Sequence, residues 1–210
     1  MSEEKVLVIP RSIMEIVLGP FEGFRNHIDP TMQVALTAYG NARFVLRDEA
    51  EKNRMLKQLI PYVIFEHRED GGPPWLYNYR RTSNQGESRL HGKRSIGVGG
   101  HINPCDLDGG AGLYQAGLFR ELREELCLPD GELESVPLVG VINYESDEVG
   151  RVHLGLVHRV CVRHQSAVVP REPENITQTG FNPATELLAH ISEFETWSQE
   201  CLKALYGTKP

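Results

Sequence analysis

Glu121, Glu124 and Glu125 crowd into one short run, Arg120-Glu121-Leu122-Arg123-Glu124-Glu125-Leu126. On a helix, positions i, i+3 and i+4 are neighbours, so the three carboxylates share a face. Like charges that close repel unless a cation sits among them. Oxygen-only ligands favour a hard divalent ion, Mg²⁺ or Mn²⁺. An ion held that way serves phosphate chemistry: it bridges phosphate oxygens, offsets developing charge and lowers the pKa of bound water. A further carboxylate can then take a proton from the attacking water. Arg120 stands one turn before Glu124 and can brace it. Upstream, a strand-like stretch Ser95–Val98 ends in Gly99-Gly100-His101. Glycine lets backbone approach an ion closely, so the carbonyl of Gly99 or Gly100 can add an oxygen ligand. A helix rich in Glu and Arg is by itself commonly a solvated face with i,i+4 pairs. The Gly-Gly-His strand end is what tips the reading toward a site.

Several elements must position these groups. A helix is predicted from about Leu113 to Leu126, with Leu118, Leu122 and Leu126 as an apolar stripe joined by Phe119. Its carboxylates fall on a neighbouring face, able to border a cleft. Residues 4–9 read as a strand stopped by Pro10, residues 11–18 as a short helix, and residues 42–46 as a strand. Asp48 is placed to cap a helix through about Leu59, ended by Pro61. Tyr62–Phe65 reads as a strand whose hairpin partner is Trp75–Arg81, followed by a polar loop over Ser83–Gly92. Residues 138–144 and 149–163 read as a long hairpin. A terminal helix is expected to open on a capping box at Ser192–Glu195 and to bury Phe194, Trp197, Cys201 and Leu205. Strands flanking one central helix, with a terminal helix behind, point to a mixed sheet between helical layers. Residues 1–60 carry no active-site pattern and are expected to be an extension packed on a main domain of residues 61–210.

Composition narrows the function classes. A net charge of −7 argues against a dedicated nucleic-acid surface, yet allows a small phosphorylated ligand held through a metal. No run approaches the apolar length of a membrane span, and the acidic start Met1-Ser2-Glu3-Glu4-Lys5 is no secretory signal. Cys105, Cys127, Cys161 and Cys201 are scattered without a C-x-x-C pair, which favours free thiols in a cytoplasmic protein and argues against a cysteine zinc site. Outside the helix, Arg80, Arg81 and Arg94 suit bidentate phosphate contact, against the alternative of a solvated strand edge. His101 can line the pocket as a group titrating near neutral pH. His153, His158 and His164 share no spacing that suits a metal and read as strand residues.

The run resembles the Nudix box, G-x5-E-x7-R-E-U-x-E-E-x-G-U with U a bulky apolar residue. Gly100 matches the first glycine, and Arg120, Glu121, Leu122, Glu124, Glu125 and Leu128 match the second half. Phe194-Glu195-Thr196-Trp197-Ser198 is similar to the last helix of many Nudix proteins. Residues 1–60, with Pro10-Arg11 and Lys57-Gln58-Leu59-Ile60-Pro61-Tyr62, look like a bacterial subgroup of predicted phosphoesterases. The resemblance implies an α/β fold, a three-layer α/β/α sandwich around a mixed β-sheet. It implies hydrolysis, with Mg²⁺ or Mn²⁺, of a diphosphate bond in a nucleoside-diphosphate-linked or related small molecule. Carried over, Glu124 and Glu125 are metal ligands, Glu121 is a ligand or the general base, Gly100 offers its carbonyl, and Arg120 orients the glutamates. A further glutamate from a distant loop is sought among Glu145, Glu148, Glu172 and Glu174, with Glu174 favoured.

Three departures from the pattern stand out. Nineteen residues separate Gly100 from Arg120 where the box has thirteen, the extra six falling in Ile102–Gly112. The box's first glutamate is missing, and Asp106 or Asp108 is placed to replace it as the partner of Arg120. Cys127 stands where the late glycine belongs. The alternative function is a non-catalytic nucleotide-binding sensor with the same fold. Intact Glu121, Glu124 and Glu125 speak against it, since a pure binder has no need of repelling carboxylates. An extension of about sixty residues also makes a homodimer possible.

Overall fold

The computed structural model describes residues 3–26, 28–38, 40–69, 71–81, 92–108, 112–129, 131, 133, 135–172 and 176–207. The chain divides into two compact units. The first comprises residues 1–62, 99–122 and 138–157, and the second residues 63–98, 123–137 and 158–210. The N-terminal sixty residues therefore share a unit with Gly100 and Arg120. The predicted loop over Ser83–Gly92 lies outside the described residues except for Gly92. Among the described residues, no helix is long and apolar enough to cross a membrane.

In the first unit, strand β1 (Lys5–Pro10) pairs antiparallel with β3 (Arg43–Leu46). Helix α1 (Arg11–Leu18) buries Met14 and Leu18, one helical turn apart, and ends at Gly19 with φ 69°, where only glycine is unstrained. Strand β2 (Gly23–Asn26) follows. Helix α2 (Pro30–Thr37) starts with proline at its first position and Asp29 as its cap, accepting from Thr31 N–H at 2.7 Å. Strand β9 (Leu138–Asn143) pairs antiparallel with β2, from Gly23↔Asn143 to Asn26↔Gly140.

One sequence expectation fails here. The helix predicted from Asp48 to Leu59 is a single turn, α3 (Arg47–Ala50), and residues 56–67 form the long strand β4 (Leu56–His67). Every residue of β4 through Glu66 is buried. A strand covered on both faces shows no alternation, so its apolar residues can fall at helix-like spacings. Pro61 has no N–H for a ladder. It lies between the stretch of β4 paired with β1, Leu56–Gln58, and the stretch paired with β7 (Gly97–Val98), Val63–Ile64. Val6, Val8, Ala50 and Leu56 pack together, with Val45 against them.

Strand β10 (His153–Cys161) runs parallel to β4. Near their starts Lys57 Nζ donates to Gly150 O at 2.7 Å, and near their ends Val162 N–H donates to Glu66 O at 2.8 Å. This pair makes the sheet mixed, the α/β class expected from sequence.

In the second unit, β5 (Trp75–Arg81) pairs antiparallel with the end of β4, with β6 (Arg94–Ser95), and with β12 (Ile176–Pro183). Short strands β8 (Leu126–Cys127) and β11 (Val169–Pro170) pair separately. Helices α5 (Ala184–Ala189) and α6 (Thr196–Cys201) follow β12, and a π-turn over Leu202–Tyr206 ends the described chain. The expected Ser192 cap is replaced by Glu195. Its carboxylate accepts from Trp197 N–H at 2.7 Å and Ser198 N–H at 2.9 Å, and also bonds the Ser198 hydroxyl. A side chain at the cap position reaches the orphan N–H groups of the first turn, which Ser192 is too far upstream to do.

His158 on β10 is fully enclosed, with Nδ1 bonded to Val136 O at 2.8 Å. Burial pushes its pKa down to about 4, against the opposing pull of the Val136 bond. The unfolded chain therefore takes up this proton first as pH falls. The contribution is complete above the unfolded value near 6.5 and is lost toward 4. Lowering pH from about 7.5 to about 4.5 should cost about 2–3 kcal/mol through this residue. Urea unfolding of wild type and His158→Gln at both pH values checks this. The variant should lose that much less stability than wild type across the interval, and equal losses would contradict it.

Candidate active site

Helix α4 (Leu113–Glu125) carries the carboxylate run and buries Tyr114, Gly117, Leu118 and Leu122. Leu126 is buried just beyond, in β8, so the predicted stripe holds and the helix ends one residue early. Glu121, Glu124 and Glu125 lie on this one continuous helix at the predicted spacing. Glu121 is largely buried, whereas Glu124 and Glu125 are exposed. The C-terminal carbonyls of α4 are met by Arg171, whose N–H donates to Glu125 O at 2.9 Å and whose Nε donates to Arg123 O at 2.7 Å. A cation there complements the negative end of the helix dipole.

Arg120 organises a polar cluster in the first unit. Its Nε and Nη2 donate to the two oxygens of Asp106 at 2.8 and 3.0 Å. Its Nη1 donates to Glu121 Oε1 at 2.8 Å, and Nη2 also donates to the carbonyl of His101 at 2.8 Å. Of the two aspartates considered from sequence, Asp106 is thus the partner. It sits in a 3-10 turn over Pro104–Asp108, and one of its oxygens also accepts from Asn103 N–H at 2.8 Å. Fork-to-fork pairing of this kind is the strong form of an ion pair. The Asp106 bonds, joined by those of Glu121, outweigh burial and hold the guanidinium pKa above its already high ordinary value.

Two glycines make this closeness possible. A β-carbon on Gly100 would lie 2.3 Å from Glu121 Oε2 and 2.7 Å from its carboxyl carbon. A β-carbon on Gly117 would lie 2.8 Å from Asp106 Oδ2 and 3.0 Å from the Ile102 side chain. The Glu121 carboxylate therefore rests against the Gly100 backbone, one oxygen tied to Arg120 and the other beside the glycine. This donor set fits a hard divalent ion: a carboxylate and an adjacent backbone, with Glu124 and Glu125 at helix spacing on the same helix.

The other residues singled out from sequence have different neighbourhoods. The ring of His101 is turned to Gln58, with Nε2 2.9 Å from Gln58 Oε1, and lies tilted against the His153 ring, the centroids 5.7 Å apart. Burial above all, then the charges of Arg47, His153 and Arg120, pushes its pKa well below the ordinary histidine value. His101 is therefore neutral at physiological pH, in contrast to the titrating group expected. Arg80 donates to Glu193 at 2.8 Å and to Gly92 O at 2.6 Å. Arg94 bonds Asn78 and lies over the Phe194 ring, 4.7 Å from its centroid. Both arginines are thus engaged within the second unit. Glu145 pairs with Arg11 at 2.9 Å and with the buried Lys57 at 2.7 Å. Glu148 and Glu172 are exposed, and Glu174 lies outside the described residues. Tyr77 and Tyr79 are core residues, Tyr79 donating its hydroxyl to Gly97 O at 3.0 Å.

Removing Asp106 leaves the Arg120 guanidinium without its main counter-charge in a mostly buried place. Asp106→Ala should lower stability by about 2–4 kcal/mol in urea unfolding. A loss below about 0.5 kcal/mol, the range of a neutral surface substitution, would show that the pair is not structural.

No protein-family model matches the chain. Protein YmaB of Bacillus subtilis (strain 168) is 29% identical over 202 residues, spanning 94% of this chain and 95% of its own. The crystal structure of Tm1382, classed with the Nudix hydrolases, superposes with a TM-score of 0.75 at 27% identity, covering 96% of this chain and 98% of that one. The Nudix domain of Shewanella oneidensis NrtR, solved with ADP-ribose, shares the fold at a TM-score of 0.50 and 14% identity, over 70% of this chain and 84% of that one. Nearly the whole chain follows the Tm1382 structure, so the protein belongs to the Nudix superfamily and is a Nudix-type hydrolase.

Proposed function

We propose that this chain hydrolyses a phosphoanhydride bond in a nucleoside-diphosphate-linked or related small molecule, using Mg²⁺ or Mn²⁺. The observation that carries this reading is the seating of the Glu121 carboxylate against Gly100, with Arg120 holding its other oxygen. In this reading Gly100, Glu121, Glu124 and Glu125 hold the ion. When bound, it offsets charge on the phosphate oxygens and lowers the pKa of water.

The protein's own groups do the remaining work. Arg120 fixes the direction of the Glu121 carboxylate, so that little reorganisation is needed when charge develops. Asp106 fixes Arg120 in turn. Glu121 serves as ligand or as the base that takes the proton of the attacking water, and Glu174 is the further candidate for that base. The NrtR domain binds ADP-ribose within the same fold, which supports a nucleotide derivative as ligand.

The test is phosphate release from nucleoside di- and triphosphates, sugar nucleotides and dinucleotide polyphosphates, with Mg²⁺ or Mn²⁺. Glu124→Gln keeps the size of the side chain and removes one charge. It should cut metal-dependent turnover by about two orders of magnitude or more. Turnover equal to wild type would refute the proposed role of Glu124. Ligand binding without turnover on any compound would favour the sensor.

A further inference from the structure

Three ligand-type side chains that the hydrolytic reading does not use converge in the first unit. Glu51 follows α3, His101 follows Gly100, and His153 opens β10. One carboxylate oxygen and one ring nitrogen from each histidine all lie within 4.8 Å of one another. Glu51 Oε1 and His153 Nε2 are 3.6 Å apart. That is long for a hydrogen bond. It is close to the separation of roughly 3.4 Å that two ligands of one tetrahedral ion at about 2.1 Å would show.

The polar groups behind the cluster orient it as groups behind metal ligands do. His153 Nδ1 is 2.7 Å from Val149 O. A carbonyl only accepts, so this contact assigns a proton to Nδ1, and Nε2 faces Glu51. A lone pair and a carboxylate repel unless a cation or a proton stands between them. Gln58 holds the other two residues. Its Nε2 donates to Glu51 Oε1 at 3.1 Å, and its Oε1 accepts from His101 Nε2 at 2.9 Å. Nearby positive charge is already matched, since Arg47 pairs with Glu4 at 2.9 Å and Arg120 with Asp106.

We propose that Glu51, His101 and His153 bind a borderline first-row divalent cation, with Zn²⁺ as the reference ion, at a site separate from the carboxylates of α4. Two imidazoles and one carboxylate suit Zn²⁺, Fe²⁺, Ni²⁺ or Co²⁺, whereas Mg²⁺ prefers an all-oxygen set. Three protein ligands leave a position for water. The ion ties the end of α3 and the start of β10 to the backbone beside Gly100. Sequence spacing hides this site, because its ligands come from three separate segments of the chain.

The experiment uses the full chain, stripped with chelator and dialysed. Co²⁺ is titrated in and followed by its visible absorption, then displaced with Zn²⁺. Wild type should give the intense bands of a four- or five-coordinate ion at one equivalent. Zn²⁺ at about a hundredfold excess over its Kd should raise Tm by about 5–10 °C. Glu51→Gln and His153→Gln should each weaken Zn²⁺ binding at least about tenfold, while Glu124→Gln should leave it unchanged. Glu51 is partly exposed, so its variant tests the site even if His153→Gln folds poorly. The weak spectrum of hexaaqua Co²⁺, or Zn²⁺ affinity lost in Glu124→Gln and kept in Glu51→Gln, would overturn the site.

Discussion

The packing around Glu121 depends on one guanidinium. Arg120 reaches three segments at once: the 3-10 turn of Asp106, the carbonyl of His101 after the Gly-Gly pair, and Glu121 beside it on its own helix. Each bond carries a charge or a fixed backbone dipole, and Asp106 is almost wholly buried. Charge-assisted bonds in such a place are strong when complete and costly when one partner is lost. The guanidinium thus sets where Glu121 points, and Glu121 in turn needs a glycine at position 100.

This arrangement explains how the chain tolerates an altered box. The box pattern has a glutamate eight positions before its arginine, and this chain has none there. Here the pairing charge comes from Asp106 in the inserted stretch. Gly117 admits the turn against α4, because any β-carbon there would press on Asp106 and Ile102. Cys127, in place of the late glycine, lies in β8, where Arg171 already meets the backbone carbonyls at the helix end.

The sequence was most informative where chemistry and local periodicity coincide. The carboxylates at i, i+3 and i+4, the apolar stripe of α4 and the glycine at the strand end are short-range patterns, and each is found in the structure as read. Asp106 was legible only as one of two aspartates, since choosing between them needs the path of the turn. The start of β4 reads as helix in the sequence because a strand buried on both faces loses the alternation that identifies it. A capping box is a common local pattern and points to Ser192 as the α6 cap, while the observed cap is the carboxylate of Glu195. The Glu51–His101–His153 cluster was invisible for a different reason: its members are far apart in sequence and meet only through β4 and β10. Arg80 and Arg94 are both engaged by groups of the second unit, Arg80 by Glu193 and Arg94 by the Phe194 ring.

The most direct test of the central claim is crystallographic. Crystals grown with Mn²⁺ and measured at the manganese absorption edge would locate the ion by anomalous scattering. The account predicts a peak bounded by the Gly100 carbonyl and the Glu121 carboxylate, with Arg120 still paired to Asp106. A peak away from Gly100, or Arg120 released from Asp106 when the ion binds, would contradict it.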